Sequence, residues 1–308
     1  MRVTQAGFYN QGTKQMAEQQ SKVFETQAQL SSGKKLLRPS DDPALAASLN
    51  NLKSQITVNQ RYLTNLGRVG DTLKMQEVSV SGAVGIVSSI TELSVQGANG
   101  TYSAADRKNI AIELKGLISS LVDLGNMRDT NGAFLFSGYS QNQAPFVESA
   151  SGVVSYTGTP DYQQVMVDEG RSMNIGMPGS DVFGSVQHVN ITTGVSSSIE
   201  LFATLELMHQ AFLDNDIDAI KDNLDKVSSV HEHLVVQQSA IGSRMNRVET
   251  LTNATEDRDY TYKILQSSME DLDYVEAASR LKNQSLALQA GQQTFAQLSG
   301  LSLFKYIN

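Results

Sequence analysis

Apolar residues recur in alternating steps of four and three along most of this chain. One line, seven residues apart, runs through Leu45, Leu52, Asn59, Leu66, Leu73, Val80 and Val87. A companion line, four residues on, takes Leu49, Ile56, Leu63, Gly70, Glu77, Val84 and Thr91. Ten of these fourteen positions are apolar. A period of about 3.5 residues held over that distance predicts a long helix packed as in a left-handed coiled coil, in preference to an amphipathic helix on a compact domain.

The pattern breaks at Gly97-Ala98-Asn99-Gly100-Thr101-Tyr102. Ser103, with Asp106 three residues later, then has the form of a capping box in which Asp replaces the usual Glu or Gln. The helix predicted next carries Ile110, Leu114, Leu117, Leu121 and Leu124 and ends near Asn131-Gly132. From about Phe134 to Gly194 the helical period is lost, and Pro145, Pro160 and Pro178 all fall here. Val153 to Tyr156, Gln163 to Val167 and Arg171 to Ile175 read as strands of a small antiparallel module. Helical spacing returns near Ser196 with Leu201, Leu205, Met208 and Phe212. It continues through Ile217, Ile220, Leu224, Val227, His231, Leu234, Gln238, Ile241, Met245 and Val248. No proline follows Pro178, so nothing in this half is forced to break.

The two ends carry thinner seams at the same interval. Tyr9, Met16, Val23 and Leu30 lie seven apart, as do Leu281, Leu288 and Phe295, and Leu298, Leu301, Leu303 and Phe304 add an apolar C-terminal end. Full burial of four such side chains contributes roughly 6 to 12 kcal/mol. Ordering about 25 backbone residues costs roughly 25 to 50 kcal/mol before helix hydrogen bonds offset part of it. An isolated end is therefore expected to be poorly ordered until the other terminus, or other copies of the chain, supply surface. Tyr9, Met16, Val23, Leu30, Leu281, Leu288, Phe295 and Leu298 are accordingly the candidate assembly residues.

A stretch rich in turn residues, LSSGKKLLRPSDDPA from Leu30 to Ala44, separates the first seam from the next. Gly33 can stop the first helix, and Asp42 can cap a second helix whose first turn holds Pro43. Gly33, Pro39, Asp42 and Pro43 form the candidate joint. The organisation expected is an assembly helix over 1–32, a joint over 33–43, a helical rod over 44–133 and 196–266, a β-rich outer domain over 134–195, and a second assembly helix over 267–308. That is a mainly α fold: a long antiparallel coiled-coil-like rod with both termini at one end and a small inserted antiparallel β domain.

Composition narrows the function. A formal net charge of −8 argues against nucleic-acid binding, which needs a basic surface. The absence of cysteine removes disulfides, thiolate nucleophiles and Cys-ligated metals. The opening MRVTQAGFYNQGTKQ has no apolar core of a secretory signal, and no run of 18 apolar residues predicts a membrane span. His231-Glu232-His233 invites a metal-enzyme reading, but residues two apart on a helix point to different faces, and the zinc-protease spacing is H-E-x-x-H. Ser81 to Gly85 lacks the spacing of a dinucleotide-binding loop, and Asp41-Asp42 has no partner histidine in sequence, which leaves a helix-capping role. Two matches to the glycosylation sequon, at Asn99 and Asn190, are of a kind that arises often by chance. No constellation supports catalysis, and no cofactor is expected.

Several segments resemble one family. Leu30 to Gly33 followed by Ser40 to Ala44 resembles the segment after the first helix of bacterial flagellins and flagellar hook-associated proteins. Ala98 to Thr101 with Asp106-Arg107 is similar to that family's helix break, and Ile241 to Arg247 to its return-helix segment of G-x-x-x-N-R form. The stretch from Asp271-Leu272-Asp273 through Glu276-Ala277 to Leu301 to Phe304 resembles its C-terminal helix. Phe134 to Gly138, leading to Ala144-Pro145-Phe146, and the opening Met1-Arg2-Val3-Thr4 are most similar to the member at the hook–filament junction. The resemblance implies a structural adaptor exported unfolded through the flagellar type III apparatus, held beforehand by a cytoplasmic export chaperone. It would assemble outside the cell as a ring of copies between hook-associated protein 1 and flagellin. A minor filament flagellin is the alternative of the same kind, and a metal-binding enzyme using His231 and His233 the alternative of another.

Overall fold

Asp42 and Pro43 open the longest helix. The Asp42 carboxylate accepts the Leu45 N–H at 3.0 Å, and Pro43, with no N–H to leave unsatisfied, takes the first helical position. The computed structural model describes residues 5–149, 152–190 and 194–304, and of residues 5, 6, 8 and 298–304 only the backbone. The elements in chain order are α1 (Gln5–Ser32), α2 (Pro43–Gly97), α3 (Ala104–Gly125), β1 (Phe146–Glu148), β2 (Val154–Tyr156), β3 (Gln164–Asp168), β4 (Arg171–Asn174), α4 (Gly179–Phe183), β5 (Ser185–Val189), β6 (Ser196–Glu200), α5 (Leu201–Leu213), α6 (Ile217–Glu270) and α7 (Tyr274–Phe304). The fold is mainly helical with small antiparallel sheets. The chain divides into two compact units, residues 1–58 with 258–308 and residues 59–257.

In the unit of residues 59–257, α2 and α6 run antiparallel. Asn59 Nδ2 donates to the Thr255 carbonyl at 3.0 Å, Gly70 faces Val248, and Gln238 Nε2 donates to Glu77 Oε1 at 3.4 Å. A buried line at heptad spacing runs along each helix: Asn59, Leu66, Leu73, Val80, Val87 and Ser94 on α2, and Ile220, Val227, Leu234, Ile241, Val248 and Thr255 on α6. The first line read from the sequence is thus the core line.

Its companion is displaced by one residue. Here α2 buries Val69, Gln76, Ala83 and Ile90, three residues after the core line, while Gly70, Glu77, Val84 and Thr91 are only half-buried. The inserted segment causes the shift by covering a second face of α2. Gln76 Nε2 donates to the Leu135 and Met177 carbonyls, each at 2.9 Å, and Gln76 Oε1 accepts the Met177 N–H at 2.9 Å. A fully satisfied amide carries little desolvation penalty, so a polar residue occupies a core position there. Gly97 ends the same face, where an added Cβ would lie 2.0 Å from the buried Phe212 ring.

Ser103 and Asp106 make the expected reciprocal capping box at the start of α3. The helix stops at Gly125, short of the expected Asn131-Gly132. Asn126 leaves the helix because its side chain pairs with β1, donating to the Phe146 carbonyl at 2.8 Å and accepting the Phe146 N–H at 2.9 Å. Asp129 then closes a tight loop by accepting the Asn131 and Ala133 N–H groups at 2.8 and 2.9 Å.

Three two-stranded antiparallel sheets follow: β1 with β2, β3 with β4, and β5 with β6. The three strand segments anticipated from sequence are β2, β3 and β4. The hairpin β5–β6, with Val186 opposite Ile199, replaces the helical turn expected at Ser196. Phe146 sits at the centre of a buried aromatic group, with Tyr156, Phe183 and Phe202 ring centroids 5.3 to 5.6 Å away. Edge and tilted arrangements of this kind suit the ring quadrupoles and fix the small strands onto the helices.

Candidate assembly surface and joint

The unit formed by residues 1–58 and 258–308 holds every residue put forward for assembly. Helices α1 and α7 pair in antiparallel fashion: Tyr9 meets Phe295 edge to face at 5.5 Å, and Thr26 Oγ1 donates to Gln284 Oε1 at 2.9 Å. Tyr9, Met16, Val23, Leu30, Leu281, Leu288 and Phe295 all lie half-buried along this pair. The Leu298 side chain lies outside the described residues, as do those of Leu301, Leu303 and Phe304 and the opening residues 1–4.

Between these apolar lines runs a second line that sequence reading missed. It comprises Gly12, Gln19 and Thr26 on α1 with Gly33 just past its end, again seven apart, and Ala277, Gln284 and Gly291 on α7. Gly12 on that line lets a large ring seat: a Cβ there would lie 2.8 Å from the Phe295 ring. The signal was present, since glycine and threonine at heptad spacing beside an apolar line mark a close helix approach, but apolarity alone does not reveal it.

The pair leaves its seam incompletely covered. A groove of about 840 Å³ runs beside Gly12, Met16, Gln19, Leu288, Gly291 and Phe295. Phe24 is 60% exposed and Val275 82%.

The segment holding the candidate joint residues is a structured strap within this unit. Gly33 ends α1 in the left-handed region at φ +71°, with its N–H on the Gln29 carbonyl at 2.8 Å, the stop that glycine permits. Its carbonyl accepts the Leu272 N–H at 2.9 Å, and the Lys35 N–H donates to the Glu270 carbonyl at 2.9 Å. Lys34 and Asp271 thus form an isolated antiparallel bridge. This pairing explains the break between α6 and α7, where the sequence read as able to continue. Residues 271–273 leave the helix to pair with the strap, and Asp273 Oδ1 restarts it by accepting the Val275 and Glu276 N–H groups at 2.9 and 3.1 Å. Pro39 lies in the exposed part of the strap, where Arg38 N–H donates to Asp41 Oδ2 at 2.9 Å.

Glu270 locks the strap. Its Oε1 accepts from Lys34 Nζ at 2.6 Å and Lys53 Nζ at 3.3 Å, and its Oε2 accepts from Gln266 Nε2 at 3.0 Å. The Lys34 hydrogen bond, then that of Gln266, holds the carboxyl down at about 2 against an ordinary 4.5. Nothing in the sequence marked Glu270, because its partners come from two distant segments.

The histidines of the enzyme reading are used otherwise. His233 Nε2–H donates to the Asp181 carbonyl at 3.0 Å, and His231 is half-buried along α6. Among the described residues no group of three His, Asp or Glu side chains could hold a metal ion.

The N-terminal helical region of bacterial flagellin matches residues 4–141 and its C-terminal helical region matches residues 224–307, together more than half of the chain. The chain belongs to the bacterial flagellin family. Over 318 aligned residues this flagellin-family chain is 29% identical to flagellar hook-associated protein 3 of Escherichia coli K12, with 99% of each covered. It superimposes on the solved structure of a flagellar hook-associated protein from Vibrio parahaemolyticus with a TM-score of 0.65 and 22% identity, over 75% of this chain and all of that one. Against the Legionella pneumophila flagellar junction protein FlgL the TM-score is 0.57 at 17% identity, over 66% and 99% of the chains. Those two likenesses establish the fold. The match to the E. coli relative runs through both terminal helices and the inserted segment alike.

Proposed function

We propose that this chain is a non-enzymatic structural adaptor of the bacterial flagellum that joins the hook to the filament. In this reading it leaves the cytoplasm unfolded through the type III apparatus, after a chaperone has held its C-terminal amphipathic segment. It assembles outside the cell as a ring of copies, with hook-associated protein 1 below and flagellin above. The observation that carries the reading is the α1–α7 pair, whose heptad seam of Tyr9, Met16, Val23, Leu30, Leu281, Leu288 and Phe295 is only half-buried. Covering that seam with other copies supplies the surface that ordering the terminal helices requires. The full-length similarity to hook-associated protein 3 supports the junction over the body of the filament.

The test is Leu288→Asp. A charge on the half-buried seam costs several kcal/mol if the seam is covered in the assembly. The variant is expected to be exported and to keep the unit of residues 59–257 folded, yet to be absent from isolated flagella and to leave cells non-motile. Normal motility would overturn the assignment of this seam. A strain lacking the protein that still grows full filaments would remove the junction role and favour a minor filament subunit.

A further inference from the structure

The chain contains two Asn-Gly pairs, Asn99-Gly100 between α2 and α3 and Asn131-Gly132 after α3. In such pairs the glycine nitrogen can attack the asparagine side-chain carbonyl, unhindered by a Cβ. The two sites are built differently. Asn99 Oδ1 accepts from both the N–H and the Oγ1 hydroxyl of Thr101, each at 3.1 Å. Negative charge develops on that oxygen in the tetrahedral intermediate, so two donors already face it in the manner of an oxyanion hole. Among the described residues the Gly100 N–H donates to no acceptor, and the space where its Cβ would stand is open. Both residues are exposed to water.

At the second pair the attacking group is tied. The Gly132 N–H donates to the Asp129 carbonyl at 3.0 Å, with the glycine set at φ +83°. Asn131 is also bound to a carboxylate, its N–H to Asp129 Oδ1 at 2.8 Å and its Nδ2 to Asp129 Oδ2 at 3.4 Å. A neighbouring negative charge opposes a developing oxyanion.

We infer that Asn99 is a site of spontaneous deamidation in the folded protein and that the fold protects Asn131. The Gly100 nitrogen gives up its proton to solvent base and bonds to Asn99 Cγ. The bond from Cγ to Nδ2 breaks, and the nitrogen leaves as ammonia. Water then opens the resulting succinimide at either carbonyl, giving aspartate or isoaspartate, with no change of oxidation state. The product adds a negative charge, and the isoaspartyl form also adds a methylene to the main chain. That change falls on a buried clamp. Arg107, 3% exposed, donates from Nη2 to the Asn99 carbonyl at 3.0 Å, from Nε to the Gly97 carbonyl at 2.8 Å and from Nη1 to Asn215 Oδ1 at 2.8 Å. The modification therefore strikes the link between the α2–α3 and α5–α6 turns, independently of the assembly role proposed above.

The experiment incubates the purified full chain in mildly alkaline buffer, folded and in urea, followed by tryptic peptide mapping with tandem mass spectrometry. The fragment 75–107 has Asn99 as its sole asparagine, and Asn131 lies in fragment 129–171. In the folded chain Asn99 is expected to deamidate at least about five-fold faster than Asn131, the factor associated with one held hydrogen bond. In urea the two rates converge. Thr101→Val, which removes one donor to Oδ1, is expected to slow Asn99 while leaving Asn131 unchanged. Equal rates in the folded chain, a faster Asn131, or an unchanged Asn99 rate in Thr101→Val would each overturn the inference.

Discussion

Replacing Glu270 with glutamine keeps the side chain's shape and removes the charge that locks the strap between α1 and α2. The carboxyl titrates at about 2 in the folded protein against an ordinary 4.5, which by linkage corresponds to roughly 3 kcal/mol favouring the folded state at neutral pH. The Glu270 side chain is 10% exposed, but its lysine partners are 53% and 44% exposed. Solvent screening at the lysines lowers the expected loss to about 1 to 2 kcal/mol. The folded pKa lies below the unfolded one. The contribution is therefore complete above the ordinary value of 4.5 and disappears as the pH falls toward about 2. Hydrogen exchange of peptides spanning residues 29–43 and 266–277 reads the local opening, and urea unfolding at a series of pH values reads the linkage. At neutral pH the variant should open roughly ten-fold more often, as about 1.4 kcal/mol implies. The difference from the parent chain should close on acidification through that window, and narrow in about 1 M salt. A variant indistinguishable from the parent at neutral pH, or a gap that persists unchanged into acid, would refute the account of Glu270 as the lock.

Gly97→Ala should destabilise the unit of residues 59–257 by about 1 to 3 kcal/mol, because its Cβ would stand 2.0 Å from the buried Phe212 ring; the urea midpoint measures it. Asn59→Leu should act in the opposite sense. Asn59 is 2% exposed and its Oδ1 has no hydrogen-bond partner among the described residues, so a leucine on this core line should raise stability by about 1 kcal/mol. A fall in the Asn59→Leu midpoint would show that the Asn59–Thr255 contact matters more than the unmet oxygen.

Local features of the chain were legible wherever neighbours in sequence are also partners in space. The Asp42-Pro43 start of α2 and the Ser103–Asp106 box need only residues within one turn, and the structure has both. The core line from Leu66 to Val87 was equally plain, since a heptad repeat reports one face whatever lies opposite. The companion line was misplaced by one residue because Gln76 is turned inward by Leu135 and Met177, groups that no periodicity can foresee. The end of α3 and the strand β6 were missed for a related reason. Asn126 takes its conformation from Phe146, which lies at a distance in the chain, and Ser196 to Glu200 from β5, whose pairing across the hairpin loop overrides the local helical spacing.

Of the proposed assembly surface, the apolar half was readable and the rest was not. Tyr9, Met16, Val23 and Leu30 announce themselves by hydropathy. Gly12 matters through what it leaves room for, which appears only when Phe295 is seen against it. By itself, then, the sequence determined that most of the chain is helical, where capping residues start α2 and α3, and which apolar residues line the terminal helices. Tertiary structure decided that α6 yields to α7 at residues 271–273, that Glu270 gathers two lysines, and which second face α2 buries. Those outcomes follow from backbone and side-chain hydrogen bonds between segments remote in sequence, and the energy of such bonds exists only once the chain has folded.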